Sequence, residues 1–280
     1  MKDHEMTFWD HLEVLRKSIF RIAGILFAAT IGLFFFKEFL FDDIVLAPTA
    51  EGFPLYRLLG LDFSLQLVNI EVAAQFMIHM KVTFLCALIV TFPFLIYEVW
   101  RFIVPALYEN EKKAVRGAFS FASMLFYVGV AVGYLIVLPI MLTFFADYQV
   151  SSAIPNTFSL SSYMSLFTST VLTFGIVFEF PTVIVALSAL GVITRNTLKQ
   201  YRRHAICLIA ILAAIITPTG DPFSLLVCSV PIYLLYEFSI LLCRKGDDDE
   251  VADSDDVKEG AKVDAKNDDY EYEEEYEEEY

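Results

Sequence analysis

The sequence is poor in the residue arrangements on which most soluble enzymes depend. Its four cysteines, Cys86, Cys207, Cys228 and Cys243, each lie in an apolar run without CxxC spacing. That excludes a disulfide framework or a thiolate zinc site and leaves them as small packing residues. The four histidines, His4, His11, His79 and His204, lack metal spacing, and there is no GxSxG, HExxH, Walker loop or paired carboxylate within an apolar run. No enzymatic activity, cofactor, metal or nucleic-acid partner is therefore expected. No internal repeat of fixed period is visible, which counts against the inverted-repeat folds of many small-solute transporters.

Net charge is also missing from most of the chain. Met1 to Gly246 carries 17 Lys+Arg and 17 Asp+Glu, so the whole formal charge of -15 resides in residues 247–280, with 18 acids and 3 lysines. That tail, ending in the near-repeat Glu-Glu-Glu-Tyr, has almost nothing to bury and is expected to be disordered and solubilising, or to dock another protein.

What is abundant is apolar surface: 57% hydrophobic residues, 27 phenylalanines and a mean hydropathy of +0.58. Water cannot cover that much, so the solvent is a bilayer. Uncharged runs predict spans at Ile22 to Phe36, Val82 to Tyr97, Ala118 to Ala146, Asn156 through Glu179 to Thr194, Ala205 to Ile216 and Phe223 to Tyr236. The last two runs hold 12 and 14 residues and reach only about 18 to 21 Å. With the turn formers Thr217-Pro-Thr-Gly-Asp-Pro222 between them, they read as a short helical hairpin, or else one re-entrant loop. Acids ahead of the first run, and no small-residue cleavage site after it, predict an uncleaved first span.

Basic residues orient the chain. Fourteen fall on one side, from Lys2, Arg16, Lys17 and Arg21 through Arg101 and Arg116 to Arg244 and Lys245. Three, Lys37, Arg57 and Lys81, fall on the other. The positive-inside rule then places both termini in the cytoplasm. Lys37 to Glu71 becomes an external segment long enough for a structured cap, and Glu98 to Gly117 an internal loop. The expected domains are a cytoplasmic amphipathic helix over 1–17, a six-span all-α membrane domain over 18–245 and the acidic tail over 246–280.

Several polar residues stand out. Thr7 and Asp10 suggest a helix start, and Phe8, Leu12, Leu15 and Ile19 recur as one helical face. Glu13 stands four residues before Lys17, the favourable order for a helical ion pair. Glu111 has Leu107, Tyr108, Ala114 and Val115 at its helical neighbour positions. It is either a carboxylate open to a guest guanidinium or a solvated surface acid. Glu179, deep in an apolar run beside the helix-bending Pro181, should face a wet cavity or a partner, or be hydrogen-bonded for structure. Lys81 is either functional or snorkels to the interface, and Gly129 with Gly133 forms a close-packing GxxxG.

Four stretches in order resemble the TatC family of the twin-arginine protein translocation system, over roughly residues 6 to 245. They are His11-Leu-Glu-Val-Leu-Arg16, Phe102 with Pro105-Ala-Leu-Tyr-Glu-Asn-Glu-Lys112, Phe174-Gly-Ile-Val-Phe-Glu-Phe-Pro181 and Thr217-Pro-Thr-Gly-Asp-Pro-Phe-Ser224. The resemblance implies a cup-shaped, six-helix protein of the bacterial inner membrane. It would receive twin-arginine signal peptides and export folded proteins with TatA/TatB-type single-span subunits and other TatC copies, driven by the proton motive force. It implies that Glu111 receives the arginine pair, with Phe102, Leu15 and Arg16 shaping the same internal site. Glu179 is implied as the acid of the fourth span and Asp221 as the acid of an external turn. One position departs from the pattern: the family's second binding acid, immediately before Leu15-Arg16, is Val14 here. Glu13 lies one residue earlier, about 100° round the helix. A proton-coupled small-solute transporter using Glu179 is the alternative reading.

Overall fold

The computed structural model describes residues 8–104, 109–154, 156–217 and 220–243; Thr7, Tyr108, Lys245 and the acidic tail lie outside them. Helix α1 (Phe8–Phe34) runs unbroken from the amphipathic stretch into the first apolar run. Its less exposed residues, Val14, Leu15, Ser18, Ile22, Leu26, Thr30 and Leu33, recur every three or four positions and form one stripe. That stripe lies against α3 (Ala74–Ile103). The rest of α1, with Phe20, Phe27 and Ile31, is exposed apolar surface suited to lipid.

Pro93 and Pro139 each lie within a long helical stretch without ending it. Pro93 removes the N–H that would bond the Ile89 carbonyl, and the Tyr127 hydroxyl of α4 (Glu109–Val132) donates to that carbonyl instead at 3.1 Å. Ahead of Pro139 the chain passes through a π-helical turn, Gly133–Val137, before α5 (Leu138–Asp147). The amide of Asn156 closes that span by donating to the carbonyls of Phe145, Ala146 and Tyr148.

Ser159 caps α6 (Leu160–Val177), accepting from the Ser162 N–H. Pro181 then divides the fourth span: α6 ends at Val177 and α7 (Phe180–Ala189) restarts with Pro181 in its first turn. Short α8 (Arg195–Gln200) leads into α9 (Arg202–Ile216) and α10 (Pro222–Leu242).

Among the described residues, five helical stretches are long and apolar enough to cross a membrane: Leu12–Phe34, Ala74–Ile103, Phe121–Asp147, Leu160–Ala189 and Pro222–Leu242. Two expectations need correction. The last pair is not two short arms, because α10 has 21 residues and only α9, with 15, falls short of a full crossing. Glu237, which ended the apolar run in the sequence, is neutralised inside the helix by neighbours described below. Nor is Glu98 in a loop: α3 carries it to Ile103 and α4 starts at Glu109, so both helices continue through most of the segment expected to connect them.

The segment between α1 and α3 forms a cap from a π-helical turn (Phe39–Val45), a 3-10 turn (Ala47–Thr49) and α2 (Pro54–Leu59). Strand β1 (Leu67–Val68) pairs in parallel with β2 (Phe158–Ser159), tying this loop to the one before α6. Irregular backbone here would leave carbonyls unpaired, and tyrosines supply the donors. Tyr134 donates to Ile44, Tyr163 to Val45, and Tyr56, in α2, to Pro48. Burial raises the Tyr56 phenol well above the ordinary tyrosine pKa, keeping that donor protonated. Tyr163→Phe strands a buried acceptor and should cost about 1–3 kcal/mol. Thermal unfolding in detergent checks it, and a change no larger than for half-buried Tyr134→Phe would deny Tyr163 this role.

Candidate functional site

The ends of the helices opposite the cap form a rim that gathers the start of α1, the end of α3, the start of α4, α8 and the end of α10. Along the α1–α3 seam, Arg21 Nε donates to Glu98 Oε1 at 3.0 Å and Arg21 Nη2 to Glu98 Oε2 at 2.7 Å. Nη2 also donates to Ser18 Oγ at 3.0 Å. Glu98 is 1% exposed and Ser18 4%, so this bidentate pair is shielded from water on its acidic side.

The pair sets a common level for the sequence-implied site. α1 and α3 run antiparallel, and Phe102 lies four residues rimward of Glu98, about 6 Å; Arg16 lies five rimward of Arg21, about 7.5 Å. Leu15 and Arg16 thus stand level with half-buried Phe102, Leu15 within the α3-facing stripe and Arg16 exposed. Val14 shares that stripe. Glu13 does not: it is exposed and lies 2.7 Å from Lys17, the helical pair its spacing predicts. Such a surface pair contributes only about 0–1 kcal/mol, so it holds Glu13 weakly. Glu111 belongs to the first turn of α4, where a helix N-terminus favours negative charge; its side chain lies outside the described residues.

The other candidates are scattered. Glu179 occupies the joint between α6 and α7, half-buried beside α4. Its Oε1 is buried without a hydrogen bond, as is Thr182 Oγ1 one turn on; the Thr182 hydroxyl and Phe126 backbone are the polar groups around it. They are near without meeting hydrogen-bond geometry. Lys81 is exposed on α3 towards the cap. Asp221 has a structural task, its Oδ1 accepting from the Ser224 N–H at 2.8 Å to cap α10.

Two polar clusters escaped the sequence reading. One is Arg21–Glu98–Ser18. The other joins α9 to α10: Arg202 Nη2 donates to Glu237 Oε2 at 2.8 Å and the Tyr233 hydroxyl to Glu237 Oε1 at 2.9 Å. The available signal was an acid at the rimward end of one apolar run together with a base at the rimward end of another.

Comparison with known proteins gives a consistent result. The family model for TatC, the Sec-independent protein translocase protein, matches residues 10–231 and leaves the acidic tail outside. The Sec-independent protein translocase protein TatC of Blattabacterium sp. subsp. Periplaneta americana (strain BPLAN) is 38% identical over 254 residues, covering 85% of this chain and 95% of the relative. That of Helicobacter pylori (strain ATCC 700392 / 26695) is 32% identical over 234 residues, covering 84% and 86%. Among solved structures, a twin-arginine translocase receptor TatC crystallised in DDM superposes with a TM-score of 0.71 at 29% identity, covering 84% of this chain and 99% of that one.

Proposed function

The chain belongs to the TatC family of Sec-independent protein translocase proteins, and we propose that it is the twin-arginine signal-peptide receptor and core subunit of its translocase. In this reading it exports folded proteins across the bacterial cytoplasmic membrane under the proton motive force, alongside TatA/TatB-type single-span subunits and further TatC copies. α9 serves as a sixth, short crossing, and both termini are cytoplasmic. The side chains Arg16, Arg101, Arg116, Lys199, Arg202 and Arg203 stand on the rim elements, which supports that orientation.

The observation that carries the proposal is the common level of Leu15, Arg16 and Phe102 on the α1–α3 seam, with Glu111 in the first turn of α4, the next helix in the chain. A carboxylate there accepts a guest guanidinium through two parallel hydrogen bonds, and Phe102 offers an aromatic face to the same planar group. The hydrophobic stretch following the arginines would lie along apolar helix surface. Glu13, turned about 100° from Val14 and held weakly by Lys17, joins only by releasing that lysine. Glu179 and Lys81 are proposed as membrane-level contacts for partner helices, since polar groups in lipid find polar partners. Family membership gives no support to the proton-coupled solute transporter.

Glu111→Gln tests the assignment. A charge-assisted hydrogen bond contributes about 1.5–3 kcal/mol, so affinity for a twin-arginine peptide should fall roughly 10- to 100-fold. A twin-lysine control, already lacking the bidentate fork, should change far less. Equal changes for both peptides would reject Glu111 as the receiving acid.

A further inference from the structure

We infer that Arg21 and Glu98 are positioning residues that set the rotation and depth of α1 against α3, and so hold Leu15 and Arg16 beside Phe102 for signal-peptide capture. This rests on the receptor reading above and adds residues to it.

At its rim end the seam has little else to fix it, since the stacking of Phe34 on His79 lies at the cap end. Only 6% of the spanning window of α1 is buried, and apart from Ser18 its α3-facing stripe through that region is apolar with Thr30. Thr30 spends its hydroxyl on its own helix, donating to the Leu26 carbonyl at 2.7 Å. Apolar side chains hold two helices together without prescribing rotation or depth, because dispersion and the hydrophobic effect are non-directional. A bidentate guanidinium–carboxylate pair is directional on both counts. Its two parallel bonds at 3.0 and 2.7 Å need the fork coplanar with the carboxylate, and the third bond, to Ser18, ties the fork to its own helix.

Moving α1 by one residue would require about 100° of rotation and 1.5 Å of translation. In the direction that brings Glu13 into the stripe, Val14 would take the place of Leu15 and Leu15 would leave it. Both Glu98 oxygens are engaged by Arg21, and the residue is 1% exposed, so Glu98 cannot itself receive the guest while the pair stands. Its work is done through α1. Phe102, one turn beyond Glu98 on the same helix face, is positioned by the same contact.

The test uses the full chain with its four cysteines replaced by alanine, and spin labels at exposed Phe20 and Val99, neither of them a site residue. Glu98→Gln should shift and broaden the label separation and raise the twin-arginine peptide dissociation constant roughly 10-fold or more, the scale for outer supports of polar sites. The charge exchange Arg21→Glu with Glu98→Arg should recover both, which a general loss of fold would not allow. An unchanged separation in Glu98→Gln overturns the clamp whatever the peptide does. A shifted separation with unchanged peptide affinity removes Leu15, Arg16 and Phe102 from the binding site and with them the receptor reading of this seam. Tighter peptide binding by Arg21→Gln would make Glu98 a receiving acid and overturn the positioning role.

Discussion

Replacing Gly129 with alanine is expected to cost about 3 kcal/mol or more and to leave little folded protein in the membrane, although a single methyl group is added. A Cβ at Gly129 would fall on the Phe174 carbonyl oxygen and lie 2.6 Å from Phe178 Cβ. The first obstacle is backbone, which no rotamer change relieves, so α4 and α6 must separate. The interface is reciprocal. Phe174 also fills the space over Gly133, while Phe126 of α4 fills that over Gly175 of α6. Phe126 stacks in turn on Phe92 of α3 at 3.5 Å, so a displacement of α4 reaches the second span as well.

Glu179 lies immediately after Phe178 and would be carried away from the Phe126 backbone, so the partner contact proposed for it should fail together with stability. Gly24→Ala and Gly32→Ala are the controls: a Cβ there meets nothing within 4 Å, and alanine is the better helix former. Thermal unfolding of purified variants measures the difference. A Gly129→Ala protein as stable as the Gly24→Ala protein would mean that α4 and α6 are not packed this closely.

Gly129 and Gly133 show what was legible from residues alone. Their spacing announces close packing, and the structure names the partners, Phe174 and Phe178. The break between α9 and α10 could be read from the turn formers between Thr217 and Pro222, and the α6–α7 joint from Pro181, whereas the capping role of Asp221 came from the structure. The resemblance carried by His11 to Arg16 and by Phe174 to Pro181 placed the chain in the family that the comparisons now show.

Pairing between distant helices was not legible. Arg21 and Glu98 are 77 residues apart, and nothing local distinguishes an acid that ends a span from an acid that opens a loop. The error over α10 has the same origin. Glu237 interrupts the apolar run, and its tolerance in the helix depends on Arg202, 35 residues earlier, as well as on Tyr233. Periodicity reports which face of a helix is apolar; it is silent on which charge across the seam makes a polar residue tolerable.

Arg21→Ala should destabilise the protein by about 3–5 kcal/mol, the cost of leaving a buried charge without its partner. Glu98 has almost no access to water that could take over from the guanidinium. Removing both charges should be far milder. In Arg21→Met with Glu98→Leu the seam becomes continuous with the apolar stripe formed by Leu15, Ile22 and Leu26, and stability should lie near that of the parent or above it, because neither ion is then withdrawn from solvent. Unfolding midpoints of the two single variants and the double variant measure this, and a double variant as unstable as Arg21→Ala would show that the polar contact itself supplies stability. With stability restored, the double variant also separates folding from register. Its α1–α3 seam is well packed and keeps the stacking of Phe34 on His79 at the cap end, but it lacks the directional contact at the rim end, so the rimward part of α1 should sample several rotations and twin-arginine binding should fall even though the protein unfolds no more readily.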